Sequence, residues 1–444
     1  MSALLVPSAL AFAQTFSLPN GIRIAFRRAP GSALFAACLL YRCGVDEEGE
    51  LPGVRAVAVW AALKRASGQR ARVESLGGEV RLDLGPDYVA FRVAAPLGAS
   101  VDSLLLLSAV ASSWEFERAD VEWAKGRALH ELRARLADPY QFSLLALRRA
   151  LYGPRGYGLP DWGTEGGIRR ATVEGAREFA RRRLAPGRAF LGVACDMTPR
   201  RLLSLLRATL GLVEGREAAP EPPAPRRADG AFDGLTVREG PGRLARVVVG
   251  LPAPSASSPD FPAAMVASAL LGGGLGGLAA RRLREEMGLA YRVLSVCPPL
   301  RGEGFLALYA EVEPLKVEEA SSALLDLLAE VRAGNVPPSD LLRARSRALG
   351  EVLLPLQSVS ELAFRLALFE ALGLGPDFVG KLAGAIKGLS PDAVLDAARR
   401  ATKRSRLLVV MPRPGRRAAF LLGPPARTWT GAGRGVARWG GRGR

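Results

Sequence analysis

Residues 272–291 read GGGLGGLAARRLREEMGLAY, and the interpretation of the whole chain begins from them. The glycines at the start predict a loop, and the Ala-, Leu- and Arg-rich segment after them predicts a helix. Gly288 is expected to end that helix and to redirect the chain before Tyr291. Taken alone, the stretch fits either a glycine hinge with an exposed basic helix, or a cluster of hydrogen-bond donors formed by Arg284 and Tyr291. The leading glycines are Gly272, Gly273 and Gly274.

The sequence repeats itself at a nearly constant distance. Residues 127–131 read RALHE and residues 347–351 read RALGE, an offset of 220 positions. Residues 168–172 correspond to residues 386–390 at an offset of 218, and each of these segments is followed by a short apolar run that predicts a strand. Two matches in the same order and at almost the same offset indicate two copies of one α+β unit.

The repeat and the local composition divide the chain into five segments. Residues 214–230 are rich in Pro, Ala and charge and predict a linker between an N-terminal domain, 16–213, and a C-terminal domain, 231–412. Residues 1–15 are apolar and contain an A-x-A pattern, which leaves open a signal-peptide remnant and therefore both an exported and a cytoplasmic location. The Gly- and Arg-rich residues 413–444 predict a disordered basic tail.

Composition narrows the function classes. The net charge is +18, which permits nucleic-acid binding, but much of the excess is Arg spread along predicted helices without interleaved aromatic residues. No apolar run is long enough to predict a membrane span. His130 is the only histidine, so a histidine-rich metal site is excluded, and it is interpreted as a surface residue. The cysteines lack CxxC spacing and are expected to be free buried thiols, although a Cys38–Cys43 pair stays open. They are Cys38, Cys43, Cys195 and Cys297.

Six short stretches, in a fixed order, resemble the motifs of one known family. The stretches are residues 18–21 (LPNG), 44–53, 77–91, 158–172, 186–196 and 272–291. Their order and spacing resemble peptidase family M16, which contains insulinase, pitrilysin and the processing peptidases, over residues 16–412. The resemblance implies an α+β fold of two homologous domains. Each domain would be a mixed, mainly antiparallel sheet with helices on one side, and the two would face each other around a chamber.

The zinc motif of that family is missing here. Active members carry His-x-x-Glu-His on a first-domain helix, where the two histidines hold zinc and the Glu activates its water. Aligned from Gly53, those positions hold Ala56, Val59 and Trp60, which neither bind zinc nor transfer a proton. Only the position of the third ligand keeps a carboxylate, Glu131. The resemblance therefore implies no metal in this chain and no peptidase activity from the chain alone.

The second-domain residues of the family are retained. By resemblance, Arg284 would hold a substrate carbonyl or carboxylate, and Tyr291 would donate its hydroxyl hydrogen to a developing oxyanion. Some members of the family divide these parts between two chains, one with the zinc motif and one with the Arg/Tyr pair. The leading hypothesis is the non-metal subunit of a heterodimeric zinc peptidase, which binds unfolded peptide and supplies both residues to a zinc-bearing homologue.

Two other functions stay open at this stage. The family includes non-proteolytic structural subunits, so a scaffold role is the main alternative, and the charge leaves a basic nucleic-acid-binding protein as the third. The resemblance also shows a departure at the substrate edge of the first domain, where the Asn and Ala of active members align with Arg81 and Leu82. This departure argues against ordinary substrate binding by the first half.

Overall fold

Alternating and continuous apolar runs form the strands of two sheets. A computed structural model describes residues 13–49, 51–112, 114–228 and 230–413. The strands of the first sheet are β1 (Gln14–Ser17), β2 (Arg23–Arg28), β3 (Leu34–Arg42), β4 (Glu79–Leu84), β5 (Tyr88–Pro96) and β6 (Ala189–Cys195). The strands of the second sheet are β7 (Leu235–Gly240), β8 (Ala245–Ala253), β9 (Ala290–Val296), β10 (Gly304–Val312) and β11 (Arg406–Pro412).

Helices fill the connections between the strands. Those of the first half are α1 (Val54–Arg65), α2 (Ser67–Ser75), α3 (Ser100–Ser112), α4 (Arg118–Ala137), α5 (Pro139–Tyr152), α6 (Glu165–Arg170), α7 (Val173–Arg183) and α8 (Pro199–Ala208). Those of the second half are α9 (Phe261–Gly272), α10 (Leu278–Ala280), α11 (Val317–Ala333), α12 (Pro338–Leu353), α13 (Val359–Ala371), α14 (Phe378–Gly388) and α15 (Pro391–Ala401). A π-helical segment, Arg281–Glu286, continues α10 directly.

The two sheets have the same topology. The first has the order β1-β2-β6-β3-β5-β4 and the second β7-β11-β8-β10-β9, so β2 to β6 and β7 to β11 correspond strand by strand. In each sheet the first and last corresponding strands pair in parallel, β2 with β6 and β7 with β11, and the other pairs are antiparallel. The strand β1 is an addition at the edge of the first sheet. The predicted fold class, two copies of a mainly antiparallel α+β unit, is confirmed.

One face of each sheet is covered by helices from its own half. In the first half α1 packs against α4 and α7, and in the second half α9 packs against α12 and α15. The apolar residues that alternate along β3 separate cleanly between the two faces: Leu39 and Tyr41 join the core under α1, whereas Cys38 and Leu40 join the core on the opposite side. Because a strand places successive side chains on opposite faces, a strand this apolar must be covered on both.

The opposite face of each sheet is covered by a helix of the other half. Helix α13 lies across β6 and β3 of the first sheet, and α5 lies against β7 and β8 of the second. The contact is close, since a Cβ atom added at Gly192 of β6 would lie 1.9 Å from the carbonyl oxygen of Ala363 in α13. On the other side, a Cβ atom at Gly250 of β8 would lie 2.7 Å from a methyl group of Leu147 in α5. This exchange of helices joins the two halves and was not foreseen from the sequence.

The remaining sequence predictions fall as follows. Residues 214–228 contain no helix or strand, and the main chain of Ala219 and Ala228 is hydrogen-bonded to Arg182 and Leu151 of the first half. His130 is exposed, as predicted. All four cysteines are free, and Cys297 is half-buried where full burial was predicted.

Most of the two predicted terminal segments lies outside the described residues, and no single described helix fits a membrane span. Most of the leader and all but the first residue of the predicted basic tail, 1–12 and 414–444, lie outside the described residues. Strand β1 begins at Gln14, so the last residues assigned to the leader take part in the sheet. Within the described residues no single helix has the length and apolar composition of a membrane span, and one bent pair, Pro338–Gln357 with Val359–Ala371, passes that test jointly.

Candidate functional site

The positions that carry the zinc motif in active relatives lie on α1. Ala56, Val59 and Trp60 are 1%, 0% and 6% exposed and belong to the core between α1 and the first sheet. Their burial follows from the sequence of α1, whose residues from Val54 to Leu63 are all buried. A helix that is covered on all sides presents apolar side chains in every direction.

Aromatic rings and a cation surround Trp60. The Trp60 ring meets that of Trp123 edge-on with 6.0 Å between centroids, and that of Trp162 at 6.3 Å with the planes tilted by 32°. The guanidinium of Arg127 lies 4.9 Å from the Trp60 ring centroid, a cation–π contact. Arg127 also forms a 3.7 Å ion pair with Glu131, the one retained ligand position. Glu131 therefore pairs with an Arg four residues away on the same helix.

These residues do not fit a zinc ion. A catalytic zinc site uses three protein ligands of the His, Cys or carboxylate type, and the three motif positions on α1 offer methyl groups and an indole N–H, which is a donor only. Among the described residues, no group of three or more His, Cys, Asp or Glu side chains is placed to hold a metal ion.

The glycine-rich loop begins at Gly273, one residue later than predicted, because Gly272 is the last residue of α9 and packs against the second sheet. A Cβ atom added at Gly272 would lie 2.7 Å from a methyl group of Leu308 and 2.9 Å from the main chain of Leu294, so only glycine fits there. After the loop, α10 and its π-helical extension carry Arg284, and the helical segment ends at Glu286. Gly288 then adopts a φ of +61°, which confirms that it redirects the chain into β9.

Arg284 and Tyr291 both face solvent. Tyr291 is 84% exposed, and its hydroxyl takes part in none of the hydrogen bonds found in the described part of the chain. The side chain of Arg284 is 35% exposed and forms a 3.4 Å ion pair with its neighbour Glu285. Within the described residues, no hydrogen bond or cation–π contact joins the side chains of Arg284 and Tyr291. The chain thus presents two hydrogen-bond donors on the surface without a reactive group of its own beside them.

Tyr291 lies on an edge strand. In the second sheet β9 pairs with β10 alone, so the main-chain N–H and C=O groups along its outer side have no strand partner. Such an edge is a template for an extended peptide. In the first sheet the corresponding edge strand is β4, where Arg81 is exposed and forms a 2.6 Å ion pair with Glu79.

Buried charges support the segment before α1, and sequence analysis missed them. Glu48, which the sequence analysis covered only within the stretch 44–53, is buried and accepts hydrogen bonds from the main-chain N–H groups of Gly53 and Arg55. The Arg55 side chain is also buried, with its Nε 3.3 Å from Glu48. Burial raises the pKa of the Glu48 carboxyl, while Arg55 and these N–H donors act in the opposite direction. The signal available in the sequence was the acidic cluster directly before an apolar helix whose second residue is Arg55.

A second buried pair anchors the same segment to the end of the first domain. Glu47 receives two hydrogen bonds from Arg188, at 2.6 and 2.7 Å, and a third, 2.9 Å long, from Arg183. The bidentate geometry suits a planar guanidinium facing a carboxylate. These residues fix the loop before α1, so they hold the fold of the site region and contribute no chemistry to it.

A family model described as "Peptidase M16 inactive domain" matches residues 170–348, which include Arg284 and Tyr291. An uncharacterized zinc protease of Mycobacterium leprae is 25% identical over 80% of this chain and 81% of its own length. A second, from Streptomyces coelicolor, is 23% identical over 91% of both chains.

Solved structures show the same fold at low identity. The peptidase M16 inactive domain from Pseudomonas fluorescens superposes with a TM-score of 0.80 at 18% identity, covering 90% of this chain and 98% of that one. A protease from Helicobacter pylori gives 0.81 at 18% identity, with 90% and 99% covered. A chain of complex III2 from Candida albicans gives 0.77 at 14% identity, with 90% and 95% covered. The family model, the relatives and the fold all agree with the resemblance to peptidase family M16 that the motifs indicate.

Proposed function

We propose that this chain is the non-metal subunit of a two-chain M16 peptidase. It would bind unfolded peptide and supply Arg284 and Tyr291 to the zinc site of a homologous partner that carries the His-x-x-Glu-His motif. The observation that carries the proposal is a contrast between the two halves. The motif positions on α1 are buried and apolar, whereas Tyr291 is 84% exposed on an edge strand, and its hydroxyl forms no hydrogen bond within the described residues.

The chemistry assigned to the two residues follows from their donors. A guanidinium presents a planar fork of N–H groups that matches a carbonyl or carboxylate of the peptide, and it stays charged at any working pH. A phenol O–H placed at the scissile carbonyl donates to the oxygen as negative charge develops there, which lowers the barrier to attack. The partner's zinc would supply the activated water. Extended peptide would add to the outer side of β9, next to Tyr291.

Co-expression with a zinc-bearing M16 homologue tests the proposal. The isolated chain should contain no stoichiometric zinc by metal analysis and cleave no peptide, and the mixture should cleave. Arg284→Ala and Tyr291→Phe should each lower the turnover of the mixture by about a hundredfold, the effect of removing one oxyanion donor. Arg207→Ala, at an exposed position on α8 of the other half, is the control for loss of one surface charge.

A structural role is the second candidate function, and one comparison favours it. The C. albicans chain with this fold is part of complex III2, so the fold occurs inside a larger assembly. The same mutants separate the two functions. If neither Arg284→Ala nor Tyr291→Phe changes the turnover of an active mixture, the supply of these residues is refuted and the scaffold function is favoured.

A further inference from the structure

A cavity of about 520 Å³ lies between the two halves, away from Arg284 and Tyr291. Its walls come from α4, α5 and the segment before α6 in the first half, and from α9, α12, α13 and the end of β9 in the second. Strand β9 carries Tyr291 at one end and Val296, a wall residue, near the other, so about five residues or roughly 16 Å of extended chain separate them. The volume is in the range of small-molecule sites.

Most of the cavity wall is apolar. Aromatic and aliphatic side chains come from both halves, and no single element closes the space alone. Representative wall residues are Leu144, Trp162, Phe261, Met265, Val296 and Phe364. An apolar cavity of this size gains free energy by taking up an apolar body, because the lining loses contacts wherever the space stays empty.

Within the described residues, every charged side chain of the cavity wall except one forms an ion pair with a group of opposite charge. Arg148 forms a bidentate pair with Asp161 at 2.8 and 3.0 Å. Arg365 pairs with Glu361 at 3.2 Å, and the other oxygen of Glu361 receives Arg92 at 3.1 Å. These pairs leave no negative charge available to neutralise a further cation.

The exception is Arg135 of α4. Its guanidinium lies over the Trp162 ring, 5.2 Å from the centroid, and its buried Nε has no hydrogen-bond partner. No ion pair with a carboxylate is formed by Arg135 within the described residues. The carboxylate four residues before Arg135 on the same helix, Glu131, is paired with Arg127. An apolar cavity with one uncompensated guanidinium in its wall is complementary to an apolar molecule carrying one negative group.

We propose that this interdomain cavity binds a free aliphatic carboxylate, with the hydrocarbon chain in the apolar space and the carboxylate on Arg135. A peptide fits less well, since every residue of a peptide brings a main-chain donor and acceptor that this apolar wall would leave unpaired. An uncharged lipid would leave the guanidinium of Arg135 without an ion-pair partner. The site is independent of the proposed peptidase role, because it lies within one chain and needs no partner.

Titration calorimetry of the full-length chain with dodecanoate tests the proposal directly. Dodecanoate should bind, dodecanol should bind at least tenfold more weakly, and affinity should rise about fourfold per methylene from octanoate upward until the cavity is full. Arg135→Gln should weaken dodecanoate by about ten- to a hundredfold and leave dodecanol unchanged. Arg133→Gln is the matched control, because Arg133 lies on the same helix but is 60% exposed and pairs with Glu165.

Several outcomes would overturn the proposal. One is equal affinity for dodecanoate and dodecanol, and another is equal loss of affinity in Arg133→Gln and Arg135→Gln. A further titration uses a hexapeptide that ends in two apolar residues, with either a free or an amidated C-terminus. Binding of the free-acid peptide without binding of dodecanoate would replace the aliphatic ligand by a peptide terminus. Circular dichroism of both variants confirms that any loss of binding comes from a folded protein.

Discussion

Replacing Trp60 by alanine tests whether the position that the resemblance aligns with the zinc motif serves the packing of the core. Trp60 is 6% exposed, so its ring is almost fully buried. A Trp side chain of this kind removes about 150–250 Å² from water, worth roughly 4–6 kcal/mol as an upper bound. Measured Trp→Ala losses in cores are about 3–5 kcal/mol. The expected loss of unfolding free energy for Trp60→Ala is therefore about 4 kcal/mol.

Urea unfolding followed by tryptophan fluorescence is the assay. Four of the six tryptophans lie in the first half, so the signal reports mainly on the domain that contains α1. Trp123→Ala is the control, because Trp123 touches the same ring from outside and is 36% exposed. It should cost about 1–2 kcal/mol. A loss below about 1 kcal/mol for Trp60→Ala would refute the conclusion that this position now serves packing.

Two further predictions concern the fold. Gly192→Ala should lower the free energy of unfolding by about 3 kcal/mol or more, because its Cβ would lie 1.9 Å from the oxygen of Ala363. Gly98→Ala, with no atom within 4 Å of the added Cβ, should be nearly neutral in the same denaturation assay. Equal effects of the two substitutions would contradict the close contact with α13. Burial raises the pKa of Asp87 above its ordinary value of 3.8. The folded state therefore holds that proton more tightly, and the Asp87 contribution to stability is greatest at low pH and declines as pH rises from 3.8 through the folded-state pKa. Asp87→Asn should remove this decline from stability measured against pH, and an unchanged pH profile would contradict it.

The order of the elements could be predicted from the sequence because the spacing of apolar residues and the positions of glycine and proline are local signals. The apolar runs that come after residues 168–172 and 386–390 predicted strands that the structure contains as β6 and β11, and Gly288 redirects the chain where expected. The offset matches at Glu131 and Glu351 predicted the repeated topology, since both residues lie on corresponding helices, α4 and α12. Arg284 and Tyr291 were found through a motif whose residues lie close together in the chain.

Long-range partners could not be predicted in the same way. Helices α5 and α13 are recognisable as helices, but their apolar faces do not specify which sheet they cover. The ion pairs of Glu47 with Arg188 and Glu48 with Arg55 were missed for a related reason. A charged residue is assumed to be exposed unless its partner is known, and Arg188 is 141 positions away from Glu47. The cavity depends on both halves at once, so no single stretch of sequence indicates it.

The reciprocal placement of α5 and α13 has a consequence for how the chain can be divided. Each sheet owes the cover of one face to the opposite half, so neither half would be a self-sufficient globule if produced by itself. Proteolytic cleavage of the connector between the halves would leave the two fragments associated, because the buried faces of α5 and α13 hold them together. Truncation at that point would expose apolar strands of the half that remains, so each half depends on the presence of the other.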